Sequence, residues 1–480
     1  MTKIFSVLKT IAALAGAVAL AGCAATGGPL GLSPQQEQAL GAQQHPQILA
    51  TFGGEVDDPQ LKAYVTRVFD RLMATDPTLT PMKIYVLDSP IVNAMAVPGH
   101  VYVTRGLLAL ANSEAELAGV IGHEIGHNKE RHIAKRVSRS NIAQIGTVAA
   151  AILTGDADTA QLVGQGAQLY LLRFSREQEY ESDLVGTRLL AEAGYDPIGA
   201  AQFLNTLGVW TNLEAQIAGV QQPPEYLKTH PNSANRVARA AEEANVLRQS
   251  GATSDERNRA AYLRAIDGLL YGDDPVRQGF IEGNTFVHPQ LGFSFSVPQG
   301  FELRNTSQAV IATSNIGAQM QFSLANSAER PEALINGALS QSLKLDLSPA
   351  RSLQVSGRPA AVGRARANSQ GTAIDVTAYV VKWQGNTNYI FLWVTQANRT
   401  AQLERQVQQS VQSLRSVNAQ SVRTPPTRRV DIVTAQRNDN ADALARYMAF
   451  ENYRRERFLI MNGLGANTPV RPGEEYKLVR

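Results

Sequence analysis

Of 480 residues only one is a cysteine, Cys23. That excludes an intrachain disulfide framework and any metal site built on thiolates. An excess of one charge sign is missing too. The 45 Lys and Arg residues against 42 Asp and Glu leave a formal charge of +3 with no long basic stripe, so nucleic acid is not an expected partner. Long apolar runs are also lacking: Ile11 to Ala21 and the uncharged stretch Asn141 to Leu153 both fall short of the ~20 residues that cross a bilayer. What is present is ordinary globular material, 44% hydrophobic and 18% charged. At ~150 residues per domain the length suggests about three domains.

The N-terminus reads as an export signal. Lys3 and Lys9 precede or open the apolar run, which ends in the small-residue stretch "LAGC", Leu20 to Cys23. This stretch resembles the lipobox of bacterial lipoproteins. The resemblance implies that Cys23 is lipidated and tethers the chain to a membrane through acyl chains, each buried CH₂ contributing ~0.8 kcal/mol. With Ala24 rather than Asp following, it implies an outer-membrane lipoprotein facing the periplasm.

Beyond this signal (1–23) and a polar spacer (24–46), residues 47–250 alternate helical patterns with short strands and 251–278 form a connecting region. From 279 to 417 the texture shifts to period-two alternation, as in "AIDVTAYVVKW" and "NYIFLWVTQ", joined by the hairpin signal "QGNT". Helical patterns at Pro331 to Leu343 and Ala401 to Leu414 make this part α+β, and its strand pattern resembles the PsbP/Mog1-like sandwich. The stretch 418–429 reads as a linker, and 430–480 as a small final module.

The chemistry lies in "SEAELAGVIGHEIGHNKERH". Ser113 followed three positions on by Glu116 is a capping box opening a helix. His123 and His127, four apart, project from one face and can share a metal. Glu124 sits ~100° round, near the metal without being forced to ligate it, where a general base belongs. Glycines at 119, 122 and 126 would each weaken an exposed helix by ~1 kcal/mol, so they predict close packing. His132 reads as a surface residue.

A catalytic zinc needs a third protein ligand. In "REQEYESD", Arg176 to Asp183, helical phase sorts the acids into two pairs. Glu177 and Glu181 continue into a charged, solvated stripe. Glu179 and Asp183 continue into Gly186, Thr187 and Leu190, so they face inward, where a carboxylate pair needs a positive partner. Glu179 is the expected third ligand of one zinc ion, and Asp183 the acceptor of the spare N–H of His123.

In this order the segments "NAMAVPGHVYVTRGLL", "HEIGH", "EYESD", "AGYDP" and "THPNSANR" resemble the membrane-associated zinc metallopeptidases of family M48, which include HtpX, the CAAX prenyl proteases and the periplasmic BepA-like enzymes. The resemblance covers roughly residues 50 to 248. It implies a mainly helical, gluzincin-type domain with His123, His127 and Glu179 as zinc ligands, Glu124 as general base and Arg236 stabilising an oxyanion. His100 departs from the pattern, replacing a second glycine after "PG". The resemblance also implies that His230 can take the fourth zinc position and gate activity, although His-Pro is equally a comfortable helix entry.

The resemblance implies that the strand from Asn93 through Ala94, Met95 and Ala96 accepts an extended substrate by main-chain hydrogen bonds, although its residues alone read equally as an internal strand. The uncharged stretch Asn141 to Leu153 reads as core or lid. The final module resembles a degenerate LysM domain, a βααβ unit that binds peptidoglycan glycan, with "NDNAD" replacing the usual "GDT". The expected protein is thus a lipid-anchored, periplasm-facing zinc metalloendopeptidase acting on misfolded or misassembled envelope proteins. The rivals are a chaperone or assembly factor with a latent protease site, and a peptidoglycan-associated scaffold.

Overall fold

A computed structural model describes residues 33–139, 173–218, 230, 234–251, 256–369 and 372–480. The expectations for Cys23 and for Asn141 to Leu153 fall outside these residues. The chain divides into two compact units: within the described residues, one comprises 33–139, 173–273 and 427–480, the other 274–426.

In the first unit, helices α1 (Pro34–Thr51) and α2 (Pro59–Met73) start on Ser33 and Asp58, whose side chains accept from backbone N–H groups of the first turn, with proline just inside each start. Strands β1 (Lys83–Leu87), β2 (Ala94–Val97) and β3 (His100–Thr104) form a sheet of order β1-β3-β2. β1 runs parallel and β2 antiparallel to β3. Then come α3 (Arg105–Leu110), α4 (Glu114–Lys129), α5 (His132–Arg139), α6 (Arg176–Glu192), α7 (Ile198–Ala218), α8 (Ala234–Gln249) and α9 (Arg259–Ile266).

The glycines of α4 do what their sequence positions predict. A Cβ on Gly122 would lie 3.1 Å from the Gly186 backbone, and one on Gly126 3.0 Å from Ser182, both on α6; one on Gly119 would lie 2.8 Å from Ala200 on α7. Gly186 returns the contact, since its Cβ would lie 2.7 Å from the His123 nitrogen. Side chains at these positions would push α6 away from the two histidines.

The C-terminal stretch departs from the expected independent module. Strand β4 (Leu270–Tyr271) pairs with β5 (Arg428–Thr434), which pairs with β6 (Glu475–Val479); between them lie α10 (Ala441–Ala445) and α11 (Arg454–Met461). The β-α-α-β order is as expected. Val430, Leu444, Phe458 and Val479, however, share one core with Val65 of α2, Ile121 of α4 and Leu190 of α6. Tyr262, from the expected connecting region, is fully buried and donates to the Leu108 carbonyl at 2.6 Å. Lys477 is fully buried and donates to the carbonyls of Ala109, Leu110 and Ala111 at 2.9, 3.1 and 2.6 Å, satisfying the buried C-terminal end of α3. The apolar residues of this stretch are thus buried in the core of the larger unit rather than in one of their own.

The second unit carries a seven-stranded antiparallel sheet and a four-stranded one. The strongest strand expectations hold: Thr372–Gln384 and Thr387–Gln396 form the hairpin, with Gln384 opposite Thr387. Alternate residues serve opposite faces. Ile374, Val376, Ala378 and Val380 pack with Leu334 and Ile335 of the helical stretch 331–343. Tyr379, Val381 and Trp383 pack with Phe293 and Phe295 of the smaller sheet and with Leu403 and Val407 of the helix Thr400–Gln412.

Candidate metal centre

Four buried side chains converge in the first unit: His123, His127, Glu179 and His230 offer ligand atoms that all lie within 4.8 Å of one another. His123 and His127 come from adjacent turns of α4, which starts on Ser113. The cap differs slightly from expectation, because the Glu116 carboxylate accepts from the Asn112 N–H rather than from that of Ser113. The Nε2 atoms of His123 and His127 are 3.0 Å apart, and His123 Nε2 lies 3.3 Å from His230 Nδ1. Glu179 Oε1 is 3.0 Å from His230 Nδ1 and 3.6 Å from His127 Nε2.

Helical phase placed the acids of α6 correctly. Glu179 and Asp183 are buried, whereas Glu177 and Glu181 are exposed. Asp183 Oδ1 lies 2.9 Å from His123 Nδ1, so an N–H there leaves Nε2 with a lone pair for the shared centre.

Two of the expected roles change. Arg236, on the first turn of α8, is buried and bound to both carboxylates: Nη1 to Glu179 at 2.5 Å, Nε and Nη2 to Asp183 at 2.8 and 2.7 Å. A guanidinium held in this way positions the two acids; it is not free above the centre to meet an oxyanion. His132 is fully buried rather than on the surface. The helix expected to run through it breaks at Arg131, which adopts φ 55° although no glycine or proline announces the stop, and α5 restarts at His132. The ring thereby turns back toward the site. His132 Nδ1 lies 2.8 Å from His127 Nδ1, and its Nε2 lies 2.9 Å from Glu181 Oε2.

One proton arrangement serves both contacts: His127 donates from Nδ1 to His132, which donates from Nε2 to Glu181. His127 Nε2 then carries a lone pair aimed at the centre. Phe174 stacks on the His127 ring at 3.8 Å. Sequence reasoning missed the roles of His132, Glu181 and Phe174. Five-residue spacing has no meaning on an unbroken helix, and the only hint was a second histidine soon after the pair.

The electrostatics favour a cation. Burial pushes the Glu124 carboxyl up despite the nearby His230 and His123. Burial also works to raise Glu179, but His230 and Arg236 outweigh it and hold that carboxylate low. For Asp183 the Arg236 guanidinium likewise outweighs burial. His127 is driven well down by burial and by the adjacent His123 and His230, so it is a neutral ring. Both oxygens of Glu124 are buried without a hydrogen-bond partner. Three imidazole nitrogens and a carboxylate oxygen facing one another at 3.0–3.6 Å cannot each hold a proton between them. A divalent cation meeting their lone pairs resolves the cluster, and an N₃O donor set suits zinc.

Among the expected substrate-strand residues, Asn93 to Ala96 are all buried, and β2 is an edge of its sheet with β3 as its one partner among the described residues. His100 lies at the start of β3, stacked on His45 at 4.8 Å, and is not one of the four converging residues.

Two histidines one turn apart, a carboxylate from a second helix and an unpartnered glutamate beside them define an HExxH-type metallohydrolase site. Residues 55–244 match the model of Peptidase family M48, so this part of the chain is similar to the domain of that family. It is 30% identical over 254 residues to the beta-barrel assembly-enhancing protease of Yersinia pestis, covering 51% of this chain and 50% of that one. It is 37% identical over 171 residues to the mitochondrial metalloendopeptidase OMA1 of Arabidopsis thaliana, covering 35% and 32%. The chain thus spans half or less of the length of these relatives. Among solved structures, that of cyanobacterial PsbP from Synechocystis sp. PCC 6803 matches at 12% identity over 29% of this chain and 95% of that one, with a TM-score of 0.24, too slight a likeness to bear on the assignment. No helix among the described residues is long and apolar enough to cross a membrane.

Proposed function

We propose that the chain is a zinc-dependent metalloendopeptidase whose ligands are His123, His127 and Glu179, with His230 as a displaceable fourth. The convergence of these four buried groups around the unpartnered Glu124 is the observation that carries this reading. Zinc held there supplies Lewis-acid chemistry, acidifying a water and polarising a carbonyl. Glu124, its carboxyl raised by burial, takes the proton of the attacking water and passes it to the leaving amine. Asp183 and the His132–Glu181 pair hold His123 and His127 in the ligating tautomer, and Arg236 holds the two acids. An extended substrate adds to β2 at Ala94 to Ala96, its carbonyl then facing Glu124.

The decisive variant is Glu124→Gln, which keeps the shape and removes the base. Cleavage of an unfolded protein is expected to fall ~10²–10⁴-fold with one zinc per chain retained. Undiminished cleavage would exclude the mechanism.

His230 supports a further element of the reading, latency. Its Nδ1 sits among the ligand atoms and its Nε2 lies 3.7 Å from Glu124, where substrate and water have to enter. Four protein ligands close a zinc site, whereas catalysis needs an open position. His230→Ala therefore raises proteolysis; a lower or unchanged rate removes the gate. The resting protein then acts as an assembly factor with its protease shut.

The setting proposed is the envelope, with Cys23 as lipid anchor in the outer membrane and misassembled envelope proteins as substrates. The supports are the "LAGC" stretch and a relative named for beta-barrel assembly. The β-α-α-β order of 430–480 supports a LysM-like unit, and peptidoglycan as an additional contact.

A further inference from the structure

The first unit contains a cavity of about 260 Å³ that shares no residue with the metal centre. Its walls come from four stretches of chain, which include α3, α7, β4 and, in the C-terminal stretch, Arg428 of β5, Phe450 and α11. They combine two kinds of surface. Trp210, Tyr271 and Phe450 supply flat apolar faces, and Arg105, Arg428 and Arg457 supply guanidinium groups.

The three arginines are not equivalent. Arg105 is committed, with Nε to Asp88 at 2.8 Å and Nη1 to the carbonyls of Leu270 and Gly272 at 2.9 and 2.7 Å. Arg457 lies over Phe450 at 4.5 Å and Trp210 at 5.4 Å, with Nη1 3.1 Å from Glu214 and a buried Nε that has no partner. Arg428 lies over Phe450 at 5.4 Å and Tyr271 at 6.0 Å, and no carboxylate pairs with it among the described residues. Phe450 is thus shared by two cations, of which Glu214 neutralises one.

We propose that this cavity binds a monoanionic ligand consisting of a carboxylate attached to a flat apolar group, about the size of one aromatic amino acid. Several features select this class. One uncompensated positive charge suits a monoanion better than a phosphate dianion. A guanidinium fork matches a carboxylate in two parallel hydrogen bonds. Ring faces and aliphatic walls take up the apolar part, as in small-molecule sites with few polar groups and a largely apolar lining. Such a carboxylate belongs to a free aromatic acid or to the C-terminal residue of a polypeptide. The cavity abuts α3, whose end Lys477 clasps directly before α4, so an occupant braces the element that carries His123 and His127.

The test is calorimetric titration of the full, zinc-loaded chain with N-acetylphenylalanine and with its amide. The acid is expected to bind at least ~10-fold more tightly than the amide, one charge-assisted hydrogen-bond pair. Arg428→Gln, a half-buried position with no ion pair to lose, is expected to remove that difference and leave amide binding unchanged. A short peptide ending in phenylalanine, as free acid and as amide, separates the two sources: a preserved preference in the peptide assigns a chain terminus, and its loss a free acid. Equal binding of acid and amide overturns the proposal. So does no binding of either up to roughly 10 mM, Arg428-dependent binding of inorganic phosphate in place of the acid, or binding of an N-acetylglucosamine oligomer alone. Arg428→Lys, which keeps the charge but not the fork, is expected to restore the preference only partly.

Discussion

The two units bury different things. The metal-centre unit encloses charge throughout: Glu114 accepts from the hydroxyls of Tyr64 and Tyr195, Asp196 meets Arg248 and Arg257, Lys477 caps α3, and the centre itself holds three acids, an arginine and four histidines. The sheet unit buries Phe, Tyr, Trp and aliphatic residues, and its buried polar groups are uncharged: Ser294, Thr377, Asn388, Thr395, Ser410 and a neutral His288. The difference shows what each architecture asks of its sequence. Period-two strands sort polar from apolar without help, whereas buried charges hold only where several elements bring partners together.

The sharpest break in this contrast is Asp183→Ala. It leaves the Arg236 guanidinium with Glu179 as its one remaining acid and frees His123 Nδ1, so the metal-centre unit is expected to lose about 4 kcal/mol and zinc affinity to fall ~10–100-fold. Urea unfolding followed in a Trp210→Phe background, where the remaining tryptophans Trp383 and Trp393 report the sheet unit, should leave that second transition where it was. A matching shift in both transitions would mean that the units do not unfold separately.

Lys477→Ala comes next. Three carbonyls at the end of α3 lose their donor, for an expected loss of about 3 kcal/mol. The loss should fall on the metal-centre transition, because residues 427–480 belong to that unit. Seeing it as a separate early transition of the C-terminal stretch would restore the picture of an independent module. Lys477→Met, which removes the buried charge and keeps the volume, should be milder.

The smallest effect tests the uncharged unit. Burial pulls the His288 ring down to about 4 from its ordinary 6.5, and its Nδ1 accepts from the Leu291 N–H, which only the neutral ring can do. The unfolded chain therefore binds the proton first as pH falls. The contribution is fully present above pH 6.5 and is lost as pH falls toward 4, about 2 kcal/mol of it by pH 5. Replacing His288 by Gln should flatten that part of the sheet unit's pH profile, measured through Trp383 and Trp393. An unaltered slope would mean that another group sets it.

Two kinds of information separated cleanly. The sequence by itself determined whatever rests on local period and spacing. His123 and His127 share a face because they are four apart, and Glu179 and Asp183 face inward because Gly186 and Leu190 continue their stripe. The hairpin at Gln384 to Thr387 follows from alternation on either side of a turn signal. These are properties of a helix or strand before it packs. Tertiary structure decided what depends on partners far away in the chain. Arg236 lies 53 positions from Asp183 and turned out to clamp the acids. His132 reached His127 only because the helix stops at Arg131, in a backbone conformation that no residue type there announces. The C-terminal stretch showed its strand–helix–helix–strand order in its own residues, yet its core is shared with α2, α4 and α6, since an apolar face records that it needs cover and not which surface will cover it.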